Sequence, residues 1–456
     1  MKRILFISYH FPPSAAVGGQ RLANFARGLT SIGWASYVVT IKDKYAKRLD
    51  PDRLRGLEKV TVNKVRVLPT ALGVIEAALG LLRPRPPAAP VAAGKPASTP
   101  PANPPMLGTR PNATFRERMS RQVRRYILSF LELPDAQKGW ILPAILGSIR
   151  QIRRHRIEWF LTSCPPYSVH LVGLAVKRAT GARWIADFRD PWMTGESKQL
   201  FATSAWSLRV EAWLERRVVE RSDLLLFNVE RARDVYCKRY HHQPAEKFVY
   251  IPNGITAPPT DRTQVSKYDT FTLSYTGALY AGRSPEPIFQ ALSKLIREGK
   301  TTPDAIRVKL MGHCRDIEGV PTAVVARKYG LASSVEVSDA VPYAEAVDVI
   351  RRSHLALLFA PNLQFQIPAK IYDYLAAGTR ILAIAGEGGT ADLIRDTGSG
   401  RTFDAEEVEA IAEFIEAEMA GPSPPEAAAS SLARFTVRHI SEELAGHMQR
   451  ADSRII

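Results

Sequence analysis

Short uninterrupted apolar runs alternate along this chain with longer amphipathic stretches. A strand buried on both faces reads as such a run, and a helix with one buried face repeats its apolar positions every three or four residues. The pattern predicts a strand over 3–8, a helix over 19–32 and a strand over 36–41. Further on it predicts strands at "WFLTS" (159–163), "RWIADF" (183–188) and "DLLLFN" (223–228), with helices over 167–179 and 204–221. "YIPNGI" (250–255) breaks the regular structure with Pro, Asn and Gly. A second series follows, with strands at "FTLSYTG" (271–277), "RVKLMG" (307–312), "VEVSDA" (335–340), "LALLFA" (355–360) and "RILAIA" (380–385), each succeeded by a helical stretch. Helices alternating with buried strands predict parallel sheets covered on both faces, hence an α/β chain of two Rossmann-like domains at about 1–255 and 256–430.

Two segments interrupt the first series. Residues 84–112 hold ten prolines in 29 residues and almost nothing to bury, which predicts a disordered or extended insertion. Residues 115–131 place Phe115, Met119, Val123, Ile127 and Leu131 at i, i+4 spacing among Arg116, Arg118, Arg121, Arg124 and Arg125, the pattern of a basic amphipathic helix. Such a helix either packs on its own domain or docks on anionic lipid, and Arg150, Arg153, Arg154 and Arg156 add a second basic cluster nearby.

At 456 residues the chain exceeds what one core organises, in keeping with two domains. Its formal charge of +17 calls for an anionic partner: nucleic acid, an acidic lipid surface or a phosphorylated small molecule. Aromatics are not interleaved with the basic clusters, which argues against single-stranded nucleic acid. The start "MKRILFISYHFPP" has too short an apolar run for an export signal, and no stretch reaches the length of a membrane span, so the reading is cytoplasmic. Cys164, Cys237 and Cys314 lie far apart without C-x-x-C spacing, which predicts buried apolar thiols rather than a structural zinc site.

Candidate chemistry gathers after the strands. Gly18 and Gly19 stand between the first strand and its helix, where backbone approaches a ligand closely and helix N–H groups favour an anion. The G-x-G-x-x-G dinucleotide fingerprint is absent, and "EGKTT" (298–302) has Lys294 where a phosphate loop needs its first glycine. "WIADFRDPW" (184–192) puts Asp187, Arg189 and Asp190 where a strand gives way to a loop, the end at which open parallel sheets bind ligands; a loop held by an Asp–Arg pair is the competing reading. "YTGALYAGRSPEPIFQAL" (275–292) has a strand, a loop with Gly277 and Arg283, then a helix near Ser284. Arg283 there presents a fixed cation and free N–H donors to one anion. "QFQIPAKIYDYLAAG" (364–378) lies between two predicted strands, its helix beginning near Pro368. Lys370 in the first turn gains nothing from the helix dipole, so an anionic ligand makes sense of it; Asp373 follows on the same face.

In this order and spacing the motifs resemble the bacterial family-4 glycosyltransferases of the GT-B fold. The resemblance rests on "FPPSAAVGGQRLANFARGLTSIGW", "TSCPPYSVHLVGLAVKRATGARWIADFRDPW", "YIPNGI", "YTGALYAGR" and "IPAKIYDYLAAG", and covers nearly everything except the Pro-rich insertion. It implies two Rossmann-like domains facing across a cleft: an acceptor domain over 1–255, a nucleotide-sugar donor domain over 256–430, and a helix within 431–456 crossing back to the first. It implies no metal and no bound cofactor, a basic pair balancing the donor diphosphate, and retention of anomeric configuration with the leaving phosphate helping to deprotonate the acceptor. Carried over by position, Arg283 and Lys370 match the basic pair, Gly18 and Gly19 the loop that closes over the donor, and Asp373 the carboxylate that bonds the ribose. Gly277 joins the donor set; Asp187, Arg189 and Asp190 form the acceptor set, with Asp190 counted alongside Arg283 and Lys370 as catalytic. Two departures stand out: Phe365 occupies the place of the first of two family glutamates, and Ile288 that of a basic residue five positions after Arg283.

The resulting expectation is a cytoplasmic hexosyltransferase of cell-surface polysaccharide synthesis. It moves a sugar from a nucleoside diphosphate to a glycan or lipid-linked acceptor at the inner membrane face, with peripheral contact to anionic lipid and no nucleic-acid partner. An epimerase-like GT-B enzyme and a catalytically silent GT-B binding protein are the alternatives.

Overall fold

The structure, a computed structural model, describes residues 1–70, 133–194, 205–255, 265–280, 282–421 and 432–453. The Pro-rich 84–112 and the basic stretch 115–131 lie outside them. In the first half, β1 (Arg3–Ile7), α1 (Gln20–Ser31), β2 (Ala35–Ile41), β3 (Thr61–Val65), α2 (Ile141–His155), β4 (Trp159–Cys164), α3 (Ser168–Thr180), β5 (Arg183–Phe188), α4 (Ala205–Arg221), β6 (Leu224–Phe227), α5 (Glu230–Arg239) and β7 (Phe248–Tyr250) follow in turn. Their strands form a parallel sheet in the order β3-β2-β1-β4-β5-β6-β7.

The second half contains β8 (Phe271–Ala278), α6 (Glu286–Arg297), β9 (Ile306–His313), a short antiparallel pair β10 (Asp316–Ile317) and β11 (Val320–Pro321), α7 (Thr322–Lys328), β12 (Val335–Ser338) and α8 (Tyr343–Arg352). It continues with β13 (Leu355–Phe359), α9 (Lys370–Ala377), β14 (Arg380–Ile384), α10 (Gly389–Thr397), β15 (Gly400–Phe403) and α11 (Val408–Ala420). Its parallel sheet runs β12-β9-β8-β13-β14-β15. In each sheet the chain reverses its direction of travel beside the first strand, between β1 and β4 and between β8 and β13. Crevices outside the carboxyl ends of strands open at such switch points.

The central strands are apolar because helices cover both faces. Ile4 to Ile7 of β1 and Leu355 to Phe359 of β13 are all buried. On one face of the first sheet, Ala144, Ile152, Val172, Val176, Val218 and Val219 of α2, α3 and α4 share a core. On the other, Leu22, Phe25 and Leu29 of α1 pack with Ile440, Leu444 and Met448 of the last helix, α12 (Val437–Ser453), which returns from the second half of the chain. A β-carbon on Gly28 would collide with Ser441 and the carbonyl of Val437, so glycine lets α1 and α12 approach closely. The two halves are further joined by Arg231 of α5, which pairs with Asp392 of α10 and with Glu387.

The predicted strands are present, with ends moved by one or two residues. Missing from the prediction are β3, β7 and β15, all at sheet edges, and the short pair β10 and β11; β3 and β15 carry no continuous apolar run, and β7 is only three residues long. Helices α2 and α5 were not among the predicted elements either; in α2, Pro143 sits in the first turn, where its lost N–H costs nothing. The terminal helix begins at Val437, later than 431, after Thr436 bridges to Ile255. Cys164 and Cys314 are buried, whereas Cys237 is half-buried.

Candidate functional site

The second switch point brings together the residues that the resemblance assigns to the donor. Lys370 opens α9, and its side chain runs back to the end of β8, where Nζ donates to the carbonyl of Thr276 at 2.7 Å and lies 4.0 Å from the centre of the Tyr275 ring. Gly277 makes this reach available, for a β-carbon there would occupy the position of the amine. Burial first, and then the charge of the nearby Arg283, lower the Lys370 pKa to about 7. Arg283 lies in the loop before α6, 4.3 Å from the centre of the Tyr280 ring. Two cations thus share one confined space, and their mutual repulsion is relieved by an anion placed between them. Ile288, at the position where a further basic residue was expected, is fully buried in the second core.

Asp373 lies one turn along α9 and accepts a hydrogen bond from the Tyr343 hydroxyl at 2.7 Å. Burial raises its pKa, while Tyr343, then Arg53, then Lys370 pull it down. Arg53 belongs to the first half of the chain and donates to the carbonyl of Ala16 at 3.2 Å. It therefore tethers the glycine loop while exerting its charge on Asp373 across the cleft. Phe365, in place of the expected glutamate, is half-buried against the first core.

At the first switch point, a β-carbon on Gly18 would stand 3.0 Å from Nη1 of Arg189 and 3.3 Å from Cδ2 of His10. Gly19 approaches the carbonyl of His10 equally closely, so both glycines serve tight passage of the loop over the end of β1. Asp190 is partly exposed at the mouth, its Oδ2 3.9 Å from Nη2 of Arg189. Burial raises its pKa, Arg189 opposes that rise and Asp187 adds to it. The His10 imidazole is held below its ordinary pKa by burial, then by Arg189 and Lys47, so it is neutral at physiological pH.

Asp187 does not join this group. It is fully buried, accepts from Arg21 Nε at 3.1 and 3.2 Å and from the Ser163 hydroxyl at 2.6 Å, and faces no opening. Arg21 also donates to the carbonyls of Pro252 and Ile251 and to Asn253 Oδ1. The pair ties α1, β5 and the "YIPNGI" crossing together, so its place in the acceptor set is corrected to a structural one. The sequence reading passed over His10, Arg53, Tyr275 and Tyr343. Only His10, a polar residue just past a predicted strand, carried a visible signal.

Among the described residues no cluster of His, Cys, Asp or Glu is placed to hold a metal ion, and no helix is long and apolar enough to cross a membrane.

Comparison with known proteins points the same way as the geometry. Residues 106–257 match the Glycosyltransferase Family 4 model. The chain is 26% identical over 180 residues to a D-inositol 3-phosphate glycosyltransferase of Gordonia bronchialis, an alignment covering 37% of this chain and 39% of that protein. The match thus spans about two fifths of the relative's length. Among solved structures, Anabaena HepE in complex with UDP superposes with a TM-score of 0.58 at 14% identity, over 99% of this chain and 100% of that one. Sucrose-phosphate synthase of Thermosynechococcus elongatus does so with a TM-score of 0.60 at 12% identity, over the whole of both chains. The lipopolysaccharide outer core galactosyltransferase WaaB in its apo form gives 0.53 at 11%, over 98% of this chain and 99% of that one. At these identities the structural matches speak for the fold.

Proposed function

Taking as premise that the chain is a GT-B protein of glycosyltransferase family 4, we propose that it transfers a sugar from a nucleoside diphosphate to a glycan or lipid-linked acceptor, with retention of configuration. The acceptor lies at the inner face of the membrane, in cell-surface polysaccharide synthesis. The observation that carries the reading is the pairing of Lys370 with Arg283 at the β8–β13 switch point.

In this reading the donor diphosphate lies between the Lys370 amine and the Arg283 guanidinium, and the ribose hydroxyls meet the Asp373 carboxylate, which Tyr343 orients. The bond from the anomeric carbon to the phosphate oxygen breaks with its electron pair on that oxygen. Both cations stabilise the charge that develops there. The acceptor hydroxyl oxygen forms the new bond on the same face, and its proton passes to an oxygen of the departing diphosphate. Arg189 and Asp190 bind the acceptor beside Gly18 and Gly19, and the neutral His10 lines the same wall. No metal enters these steps, because the two side-chain cations balance the diphosphate.

The test is thermal melting with a panel of nucleoside diphosphates, joined to turnover of Lys370→Ala and Arg283→Ala. At least one nucleotide is expected to raise the melting temperature, since a ligand bound only by the native state stabilises it. Each substitution is expected to abolish that shift and the transfer while leaving the fold intact. Stabilisation by none of the panel, or full turnover in both variants, refutes the assignment.

A further inference from the structure

We infer that Tyr275 and Tyr280 are positioning residues of the basic pair, each presenting a ring face to one cation so that both stay poised for a diphosphate without being neutralised. This deepens the proposed donor reading and rests on it. The Lys370 amine lies 4.0 Å from the centre of the Tyr275 ring, and the Arg283 guanidinium 4.3 Å from the centre of the Tyr280 ring. Among the described residues these are the two shortest distances between a cation and a ring. Neither cation has a carboxylate at ion-pair distance among the described residues. By contrast, Arg21 is met by Asp187 and Lys177 by Asp223.

The two kinds of support differ in what they leave for a ligand. A carboxylate against Lys370 would cancel its charge, and a diphosphate would have to displace it. An aromatic face attracts a cation through its quadrupole, carries no net charge, and leaves the field of the ammonium available. Lys370 needs such support, because burial and the charge of Arg283 both push its amine toward the neutral form. Cys314, whose thiol burial pushes up to about 12, and Asp373 act in the other direction.

The Tyr275 ring is fixed from behind. It is fully buried, packs on Phe359 of β13 with ring centres 4.8 Å apart, and its hydroxyl donates to the carbonyl of Ala278 at 2.9 Å. Burial raises the phenol pKa, so the donor stays protonated and the ring neutral. The bond to Ala278 closes the end of β8 around Gly277, where a β-carbon would come within 3.0 Å of the hydroxyl. Tyr280 and Arg283 follow in the loop that this bond anchors, and the Arg283 N–H donates to the Tyr280 carbonyl at 3.1 Å. One stretch of chain, from β8 into the loop before α6, thus supplies both rings and the arginine, and α9 brings the lysine to it.

The test changes the electron density of the ring and not its shape. In the full chain, Tyr275→Phe is compared with the same phenylalanine carrying one, two or three ring fluorines, which drain the π face stepwise at nearly constant size. Titration of the Lys370 amine without ligand is read by NMR of lysine labelled at Cε and assigned by loss of the signal in Lys370→Met. It is expected to move to lower pH with each fluorine, since a weaker face supports the ammonium less. Affinity for inorganic pyrophosphate at about pH 8 should fall in parallel by roughly three- to tenfold across the series, and by less at about pH 6, where more of the amine is protonated in every variant. Tyr280→Leu should weaken pyrophosphate by a similar factor at both pH values, because a guanidinium does not titrate there. Should Tyr275→Phe fail to fold, ring-fluorinated tyrosines carry the series with the hydroxyl kept. A midpoint that fluorine leaves in place, a loss complete in Tyr275→Phe and unchanged by fluorine, or native affinity in Tyr280→Leu overturns the inference. Pyrophosphate binding that Lys370→Ala removes and fluorine leaves untouched overturns it while the donor reading stands; no binding by the native protein overturns both.

Discussion

The Lys370 amine stands in the space that a β-carbon at position 277 would need. A lysine from the helix after β13 and a glycine in β8 therefore form a matched pair, although more than ninety positions separate them, as the 2.7 Å bond to the neighbouring Thr276 carbonyl shows. The first consequence concerns Gly277→Ala. The added methyl group displaces the flexible end of Lys370 and strains a backbone whose φ is 156°, so the protein is expected to melt earlier while nucleoside diphosphate affinity of the folded protein falls by at least about tenfold, the loss of one charge-assisted contact. Isothermal titration of the variant checks this, and affinity equal to that of the native protein counts against the assignment.

If the proposed donor diphosphate binds at Lys370, the depressed pKa of that amine predicts proton-coupled binding. With the amine titrating at about 7, the free protein at pH 8 holds Lys370 mostly neutral, whereas a bound diphosphate favours the ammonium form. Binding above pH 7 should take up a proton, and affinity should fall by up to about tenfold per pH unit until the bound-state pKa is passed. Calorimetry in buffers of different ionisation enthalpy measures the uptake directly.

The same shift has a stability consequence of opposite sense. Between about 7 and the unfolded value of 10.5, the unfolded chain carries a proton on this lysine that the folded chain lacks, so stability rises with pH through that window. Lys370→Met removes the charge and keeps most of the volume. It is expected to melt no earlier than the native protein at pH 7, and to show less of this rise, while losing nucleotide-induced stabilisation. Melting curves from pH 6 to about 9 test both halves of the statement.

Asp373 and Tyr343 are expected to read the nucleoside and not the phosphates. Asp373→Asn and Tyr343→Phe should each weaken a nucleoside diphosphate several-fold while leaving pyrophosphate binding within about a factor of two, since the hydrogen bond between them lies on α8 and α9, away from the Lys370 amine. Competition titrations with the two ligands separate the contributions, and equal losses for both would place Asp373 on the diphosphate.

Asp187→Asn tests the structural assignment. Arg21 and Asp187 are 2% and 0% exposed in their side chains, and removing one charge strands the other. A destabilisation of about 3–5 kcal/mol is expected, read as a shift of the first unfolding transition in urea. Nucleotide affinity of the protein that remains folded should be unchanged.

How much of this was legible beforehand depends on the residue. Lys370, Arg283 and Gly277 were visible because each sits next to an apolar run long enough to mark a strand end, and strand ends are where parallel sheets bind ligands. Asp187 misled for the same reason. It also lies at a strand end, and nothing in "WIADFRDPW" shows that Arg21 from a distant helix reaches it. Tyr343 and Arg53 escaped notice because their relevance comes only from what they face across the cleft.

The order of apolar runs and helices, with their lengths and the glycines and prolines between them, was sufficient for two parallel α/β halves, because burial on both faces leaves a local mark on every central strand. Which charges are buried against each other, which remain at the mouth, and which lysine fits above which glycine are properties of pairs far apart in the chain. Periodicity carries no record of such partners. They came into being when two sheets, a linker and a returning helix packed together, and the dielectric that sets the Lys370 proton near neutrality exists only in that packed state.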